Sequence, residues 1–491
     1  MKKFTKIMSL ACCALFAGAS LANAEDYVWK YVNTGDATTY AVRNDGSLWA
    51  WGWNELGQAG NGIKERSAMP TLTNGDLKWK KVAGGKAYAF FLAEDGSLWA
   101  AGSAESGIQG TGDGIGHKVL TRIGTDNNWV DVACTRFWGY TAFAIKSDGT
   151  LWGWGQNTSA QLGIGNIQTQ IVPVQIGTDT DWKQVAVGSS SVIAIKNDGS
   201  LWGWGGNMRG EVFGYKGRQA TPVRLGNAND WSYVCMIDYR AYGVKNDGTM
   251  WAWGDNSANL LGLNTETDEE GVVTVSQVTE PTQVTAITGN VISISGCENT
   301  MSVSTGTDGV IDKVWMFGSN TDGALGDGKG LGNGNTGIPF MTTPVSPSLK
   351  SSLKMDYVAS GQNYTMVVTT DGDIWGWGCN RGGQLGDETL YDQLQTAYKL
   401  KPTLINCPQD EITSSISDAV AQDTEISING SVVSLQTEGR LTSATIYNLQ
   451  GAAVMILSAS ESSWNISSLP QGTYIAKFVV DGKAFTSKFA K

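Results

Sequence analysis

One nine-residue pattern recurs along the chain and constrains the fold more than any other feature. It reads NDGSLWAWG at Asn44–Gly52, with close copies at 94–102, 147–155, 197–205, 246–254 and 370–378. A degenerate seventh copy, TDGVIDKVWMFG, occupies Thr307–Gly318. The aspartates of the seven Asp-Gly pairs lie 49 to 63 residues apart. A repeat of this length is typical of a solenoid or a propeller.

Each repeat unit predicts four short strands. It opens with a segment such as WKKVA, continues with an alternating run such as AYAFFLAE, and turns at Asp-Gly into SLWAWG. A Gly-rich loop and a short segment such as PVQI complete it. An Asp-Gly pair between alternating runs is typical of a β-hairpin, because both residues tolerate the positive φ of its tight turn. Four antiparallel strands make one blade, and a closed ring of blades leaves few exposed edges.

We therefore expect an all-β protein with a seven-bladed β-propeller over residues 25–406, followed by a small C-terminal β-sandwich. The predicted blades lie near residues 25–75, 76–125, 126–178, 179–227, 228–285, 286–350 and 351–406. Trp49 and Trp51 are two residues apart, so both point to one face of their strand. Twelve of the 20 tryptophans occupy such paired positions and five more open repeat units. We expect this set to lie between neighbouring blades, since so many exposed indoles would make the protein insoluble.

The motif D-G-x-L-W-x-W-G-x-N-x-x-x-Q-L-G-x-G resembles the regulator-of-chromosome-condensation repeat, from about Trp29 to Ile405. The resemblance implies a seven-bladed propeller. This family usually carries a histidine seven residues before the aspartate of the turn, and the chain departs from that pattern. The slots hold Thr38, Tyr88, Thr141, Ser191, Arg240, Met301 and Tyr364. The family's exchange-factor activity on a nuclear GTPase is therefore not expected. A secreted bacterial propeller of the same repeat family inhibits β-lactamase, which shows that the scaffold can bind proteins outside the cell.

The first 24 residues predict a signal peptide. Lys2, Lys3 and Lys6 precede an apolar stretch, and Ala22-Asn23-Ala24 is a small-x-small cleavage site. No later stretch is apolar for 18 residues, so no transmembrane segment is expected. The net charge of −11 argues against binding to nucleic acid. We expect a secreted protein, at the cell surface or in the medium.

Residues 407–424 predict a linker, and residues 425–491 predict a further β-domain with NG, QG and DG turns. The segments IYNLQG and ISSLPQGTYIAKF and the terminal KFAK resemble the C-terminal sorting domain of type IX secretion. The resemblance implies that the type IX machinery is a partner and that the protein crosses the outer membrane. An ordinary accessory β-domain is the alternative.

No catalytic constellation is recognisable, so we predict a protein that is not an enzyme and has no cofactor and no metal site. The only histidine, His117, lies in a loop, and neither G-x-S-x-G nor a P-loop occurs. Asp322 and Asp327 among glycines leave a calcium loop open, although EF-hand spacing is absent. Seven cysteines lack a disulfide or zinc pattern, and a bridge between Cys379 and Cys407 stays open.

The loop before the strand that leads to each Asp-Gly turn is the predicted binding region, because end loops carry function in propellers. It is longest in the third unit, CTRFWGY. The candidate partner-binding residues are Tyr88, Arg136, Phe137, Trp138, Tyr140, Tyr239, Arg240 and Tyr364, with Trp53 as a weaker candidate. Tyr, Trp and Arg dominate protein interfaces, and aromatic rings also stack on sugars. We therefore expect a protein-binding surface, with an extracellular glycan as the alternative ligand and a hydrolase as the third hypothesis.

Overall fold

A computed structural model describes residues 28–74, 76–257, 260–263, 275–330, 340–388, 397–405, 424–429, 432–437, 440–448, 453–471, 473–480 and 483–491. The described elements are β-strands apart from one 3-10 turn at Glu105–Gly107. The all-β prediction is thus confirmed. Within the described ranges, no helix is long and apolar enough to cross a membrane. The predicted signal peptide and residues 407–423 of the predicted linker lie outside these ranges.

The strands between residues 29 and 405 form seven successive antiparallel groups of four, each from one repeat unit. Group one has β1 (Trp29–Thr34), β2 (Thr38–Arg43), β3 (Leu48–Gly52) and β4 (Ser67–Asn74). Group two has β5 (Trp79–Gly84), β6 (Tyr88–Ala93), β7 (Leu98–Gly102) and β8 (Thr121–Arg122). Group three has β9 (Trp129–Cys134), β10 (Thr141–Lys146), β11 (Leu151–Gly155) and β12 (Gln170–Gln175). Group four has β13 (Trp182–Val187), β14 (Ser191–Lys196), β15 (Leu201–Gly205) and β16 (Gln219–Arg224).

The remaining three groups follow the same order. Group five has β17 (Trp231–Ile237), β18 (Arg240–Lys245), β19 (Met250–Asp255) and β20 (Gln277–Gln283). Group six has β21 (Val291–Cys297), β22 (Thr300–Thr307), β23 (Val310–Ser319) and β24 (Phe340–Val345). Group seven has β25 (Met355–Gly361), β26 (Tyr364–Thr369), β27 (Ile374–Cys379) and β28 (Tyr398–Ile405). One residue pair, Ile311 with Met355, also links groups six and seven.

The paired tryptophans lie between neighbouring groups, as predicted. Trp204 of group four is fully buried and shares a hydrophobic cluster with Phe143 and Leu162 of group three. Its partner Trp202 is half-buried against the same cluster. The rings of Phe143 and Trp204 meet edge to face with centroids 6.0 Å apart. Each buried indole hides roughly 150–250 Å² of surface, so these contacts supply much of the cohesion between groups.

The Asp-Gly turn also positions the first tryptophan of each pair. Asp198 Oδ1 accepts hydrogen bonds from the Ser200 amide at 2.9 Å and from its hydroxyl at 2.6 Å. The Ser200 oxygen in turn accepts from Trp202 Nε1 at 2.9 Å. These bonds from Ser200 lower the pKa of Asp198. Gly199 has φ +78°, and a Cβ there would meet Asn229 O at 2.3 Å, so the turn requires glycine.

The second tryptophan of each pair donates a hydrogen bond to a carbonyl in the Gly-rich loop of the preceding group. The five donor–acceptor pairs are Trp51 to Gln384, Trp154 to Ile108, Trp204 to Gln161, Trp253 to Glu211 and Trp377 to Ala324, at 2.8–2.9 Å. The other two units have Ala101 and Phe317 at this position, neither of which carries an indole N–H.

Two tyrosines replace the missing indole donors. Tyr40 donates to Gln58 O at 3.1 Å, and Tyr242 donates to Leu260 O at 2.8 Å. Both tyrosines belong to the group that precedes the unit without the indole. The equivalent buried carbonyl is therefore satisfied at all seven junctions, as the cost of burying an unpaired carbonyl requires.

The first and the last groups close the ring without exchanging a strand. Group one and group seven are each built from a continuous stretch of chain, and they pack through Trp29, Trp51 and Tyr364 in one cluster. The Trp29 amide donates to Gly372 O at 3.1 Å. The same bond runs from Trp182 N to Gly149 O inside the chain. The junction of the first and last groups, which we call the seam, therefore has the construction of the other junctions.

The C-terminal residues form two antiparallel sheets around one core. One sheet has the order β29 (Thr424–Asn429), β30 (Val432–Thr437), β33 (Ser463–Asn465). The other has the order β32 (Ala453–Leu457), β31 (Leu441–Asn448), β34 (Thr473–Val480), β35 (Lys483–Ala490). Val433, Ile446 and Phe478 are buried together between them, with the Trp464 ring stacked on Phe478 at 5.2 Å. The apolar residues of both sheets thus have one common interior.

Candidate functional site

The loops that follow the first and third strands of every group lie at the same end of the sheets, because adjacent strands are antiparallel. We call this end the loop face. It includes residues 35–37, 53–66, 85–87 and 135–140, whereas the Asp-Gly turns lie at the opposite end. The predicted partner-binding residues all lie in these loops or at the first residue of the following strand.

Trp138 is the one exposed indole of the loop face. All 20 tryptophans are within the described residues, and Trp138, with 58% exposure, is the only exposed one. Phe137 beneath it is buried, and the two rings meet edge to face at 5.0 Å. Lys86 Nζ lies 4.9 Å from the centroid of each ring. The indole is therefore held in place by a neighbouring ring and a cation.

Arg136 points away from the surface, which corrects its prediction as a partner contact. Its Nη1 donates to Ser295 Oγ at 3.2 Å, to Gly296 O at 3.0 Å and to Ser360 O at 3.0 Å. It thus reaches from group three to groups six and seven across a central cavity of about 440 Å³ lined by the first strand of each group. The Arg136 guanidinium therefore connects group three to groups six and seven by hydrogen bonds.

Tyr88 and Tyr364 are fully buried, so a partner cannot contact them directly. The Tyr88 hydroxyl donates to Thr135 O at 2.7 Å, and the Tyr364 hydroxyl donates to Thr38 O at 2.9 Å. Burial raises the pKa of both phenols well above its usual value. The burial of Tyr88 follows from its position in the sequence. It is two residues before Phe90, so both side chains lie on one face of the strand and in one buried cluster.

Arg240 is also internal, with 5% exposure. Its guanidinium contacts the carboxylates of Asp238 at 3.4 Å and Asp255 at 4.0 Å, and it donates to Glu298 O. Tyr140 and Tyr239 are half-buried at the loop face. Burial raises the pKa of Tyr140 to about 12, so it is a neutral hydroxyl at physiological pH. At the loop face, Trp138 is therefore exposed, and Tyr140 and Tyr239 are partly exposed.

A cavity of about 640 Å³ lies on the loop face beside the seam. Loops of groups one, two, six and seven line it, with Asp36, Trp53, Leu56, Lys86, Asp322 and Arg381 among the lining residues. Arg381 pairs with Asp322 at 3.1 Å. At the rim, Arg66 pairs with Glu55 at 2.8 Å and stacks 3.7 Å above Trp53. Sequence reasoning missed this cavity because no single repeat unit contains it; only Trp53 was a candidate.

The groups considered for metal or acid–base chemistry have protein partners. Asp327 Oδ1 accepts from Asn320 Nδ2 at 3.1 Å and from the Lys329 amide at 2.9 Å. His117 Nε2 lies 2.8 Å from Asp113 Oδ2 in an exposed loop. Within the described ranges, no three His, Cys, Asp or Glu side chains cluster as metal ligands would.

The described cysteines are free thiols. They are Cys134, Cys235, Cys297 and Cys379. Burial raises the pKa of Cys134 to about 12 and that of Cys379 to about 11, so both are protonated at neutral pH and poor nucleophiles. Cys407 lies outside the described residues.

Comparison with known proteins agrees with this architecture. The profile described as "Regulator of chromosome condensation (RCC1) repeat" matches residues 45–92, 148–195, 247–304 and 371–420. A second profile of that description matches 29–58, 182–211 and 356–384, and together the two cover just over half of the chain.

Two curated relatives from Arabidopsis thaliana are similar over part of their length. The Ultraviolet-B receptor UVR8 is 29% identical over 161 residues, which are 32% of this chain and 36% of UVR8. The mitochondrial RCC1 domain-containing protein RUG3 is 30% identical over 113 residues, 23% of each protein. The chain thus spans about a third or less of the relatives it matches.

Two solved structures share the fold over most of their length. Yeast RCC1 (Prp20), solved bound to Kap60, superposes with a TM-score of 0.60 at 18% identity, covering 83% of this chain and 90% of Prp20. A second structure of Prp20p from Saccharomyces cerevisiae gives the same TM-score and identity, covering 84% of this chain and 93% of that one. With its repeated four-stranded groups and these matches, the chain belongs to the RCC1-repeat β-propellers.

Proposed function

We propose that this chain is an exported, non-catalytic binding propeller that recognises a protein partner through its loop face. The observation that carries the proposal is Trp138, a large aromatic side chain kept exposed in a protein that buries or half-buries every other indole. Rigidly mounted Trp and Tyr side chains are the usual anchors of protein interfaces. Structures of the similar Prp20 concern binding to Kap60, to Gsp1p and to histones, so this fold serves protein recognition elsewhere.

The spread of exposed apolar side chains favours a protein over a glycan. Leu56 in group one is 48% exposed and Met208 in group four is 74% exposed, and both lie in loop-face segments. Together with Trp138 they are distributed over several repeat units. Lys86 also lies over the Trp138 ring, which leaves less of the indole free to stack on a sugar. A broad surface with separate anchors fits a protein interface.

We expect replacement of Trp138 by alanine to abolish partner capture without unfolding the protein. The purified propeller would be immobilised and exposed to extracellular extracts, and retained proteins would be identified and their affinities measured. A hot-spot tryptophan is worth about 2 kcal/mol or more, so affinity should fall at least about 30-fold.

The matched control is V130A, which removes exposed apolar area from the same group at the opposite end. This variant should bind as the wild type does. Undiminished capture by W138A would refute the proposed binding face, and a specific signal on a glycan array would favour the glycan hypothesis.

Export is the second part of the proposal, supported by the signal-like residues 1–24 and the resemblance of residues 425–491 to type IX sorting domains. We expect a variant lacking residues 425–491 to remain in the periplasm, while the full chain reaches the cell surface or the medium. Cell fractionation with protease treatment of intact cells measures the difference. Full-length W138A is the control and should be exported normally. Surface exposure of the shortened chain would contradict the sorting role.

A further inference from the structure

We propose that the cavity beside the seam binds a lysine or arginine side chain of the protein partner, with the Asp36 carboxylate receiving the positive charge. This inference rests on the proposed function, because it names the chemistry of the partner that the loop face recognises. The cavity lies at the loop face and has room for a long side chain with part of its backbone.

The backbone of Asp36 is fixed by both neighbouring groups. Its amide donates to Gly85 O at 3.3 Å, and its carbonyl accepts from the Gln362 amide at 2.9 Å. Its side-chain Oδ1 is buried and has no hydrogen-bond partner among the described residues. A buried carboxylate oxygen without a donor is unfavourable. A positive charge placed in the cavity beside the half-buried Asp36 carboxylate lowers that cost.

The other carboxylates of the cavity are already engaged. Asp322 is paired with Arg381, and Glu55 is paired with Arg66. Behind Asp36, Glu298 Oε2 accepts from Gln362 Nε2 at 2.6 Å. Asp36 therefore remains as the acceptor for an incoming cation.

Lys86 is the positive group that faces Asp36. It lowers the pKa of the carboxyl only partly. Among the described residues, none of the ion pairs within 4.0 Å joins Lys86 to Asp36. Its ammonium lies over the rings of Phe137 and Trp138 instead. Glu298, Cys297 and Tyr364 are the other titratable groups near Asp36. None of these three supplies a positive charge, so the carboxylate is not neutralised within the protein.

The rim of the cavity shows how a cation is accommodated. The Arg66 guanidinium stacks on Trp53 and bonds to Glu55, which combines an aromatic face with a carboxylate. Trp53 and Asp36 offer the same combination inside the cavity. The exposed side chain of Leu56 lines the same space and can cover the aliphatic stem of a lysine or arginine.

Short peptides test this chemistry directly on the full chain. The probes are acetyl-Gly-X-Gly-amide peptides with X as Arg, Lys, Gln or Glu, and binding is measured by chemical-shift titration at pH 7.5. We expect the Arg and Lys peptides to bind at least 10-fold more tightly than the Gln and Glu peptides. D36N should lose at least 10-fold of the affinity for Arg and Lys. Because burial raises the pKa of Asp36 to about 6, binding should also weaken below that pH.

Equal binding of the Gln or Glu peptide, or unchanged binding of the Arg and Lys peptides to D36N, would overturn the inference. Thermal unfolding of D36N checks that the fold is intact. W138A should lose partner capture, whereas V130A, at the opposite end of the sheets, should bind the basic peptides as the wild type does. If W138A fails to capture the partner and D36N retains both activities, the proposed function stands and this inference fails. If the Arg and Lys peptides depend on Asp36 and W138A captures normally, this inference stands and the Trp138 proposal fails.

Discussion

Replacing Trp51 by alanine is expected to lower the free energy of unfolding by about 4 kcal/mol and to open the ring at its seam. The indole is 1% exposed and packs against group seven, so its loss leaves a large cavity. Truncations of buried tryptophan cost about 3–5 kcal/mol. The lost bond from Trp51 Nε1 to Gln384 O adds to this, although Thr39 Oγ1 still donates to that carbonyl at 2.7 Å. Urea unfolding followed by tryptophan fluorescence measures the effect.

W204A is the matched control, because Trp204 makes the same contacts at a junction inside the chain. We expect a similar loss of global stability in both variants. Only W51A should accelerate hydrogen exchange of the Trp29 amide, which bonds across the seam to Gly372 O. In W204A the short link between β12 and β13 keeps the equivalent bond of the Trp182 amide to Gly149 O in place. A loss below 1 kcal/mol in W51A, or equal exchange at the two amides, would contradict this account of the seam.

The stability of the wild type is expected to fall by about 3 kcal/mol relative to D36N as the pH rises from below 4 to above 6. Burial raises the pKa of Asp36 from its usual 3.8 to about 6, despite the opposing effect of Lys86. Between these values the unfolded chain loses the proton and the native state keeps it, so stability falls with increasing pH. A pKa difference of one corresponds to about 1.4 kcal/mol, and the pKa of Asp36 rises from 3.8 to about 6 on folding. Above pH 6 the difference in unfolding free energy between the wild type and D36N no longer changes with pH.

Urea titrations of both proteins at several pH values give this difference directly. D76N removes an exposed negative charge from the linker before group two and controls for net charge. Parallel pH dependences of wild type and D36N would show that the Asp36 carboxylate carries no penalty. A bound cation should lower the pKa of the Asp36 carboxyl and so reduce the loss of unfolding free energy above pH 6. The urea titrations and the peptide titrations therefore test the same carboxylate.

The repeat unit could be predicted from the sequence because its determinants are local. Asp198, Gly199 and Ser200 specify their turn within three residues, and the spacing of Trp202 and Trp204 specifies one face of a strand. The β-propeller class and the burial of the paired tryptophans were therefore predictable. One position was misplaced by one residue. In the other six groups, the residue seven before the aspartate of the turn pairs with the glycine at the end of the third strand or one residue before it. In group six, Thr300 and not Met301 pairs with Gly318, because the hairpin of this group is longer.

The candidate site was less predictable because its contacts span the ring. Arg136 bonds to Ser295 and Ser360, 159 and 224 residues away, and nothing in its own loop indicates those partners. The cavity next to Asp36 likewise needs loops from four repeat units. The burial of Tyr88, in contrast, could have been predicted from the sequence. Tyr88 and Phe90 are two residues apart on β6 and therefore share its buried face. The prediction assigned Tyr88 to the preceding loop, so it was not included in this alternation.

The seam has a consequence for how such a protein can be rearranged. Each group comes from one uninterrupted segment, and the bond from Trp29 to Gly372 has counterparts from Trp79 to Gly46 and from Trp182 to Gly149. No sheet depends on where the polypeptide starts. Circularly permuted propellers that begin at Trp79 or Trp182, with residues 405 and 29 connected, would keep every strand pairing within the seven groups and change only the order in which the groups are synthesised.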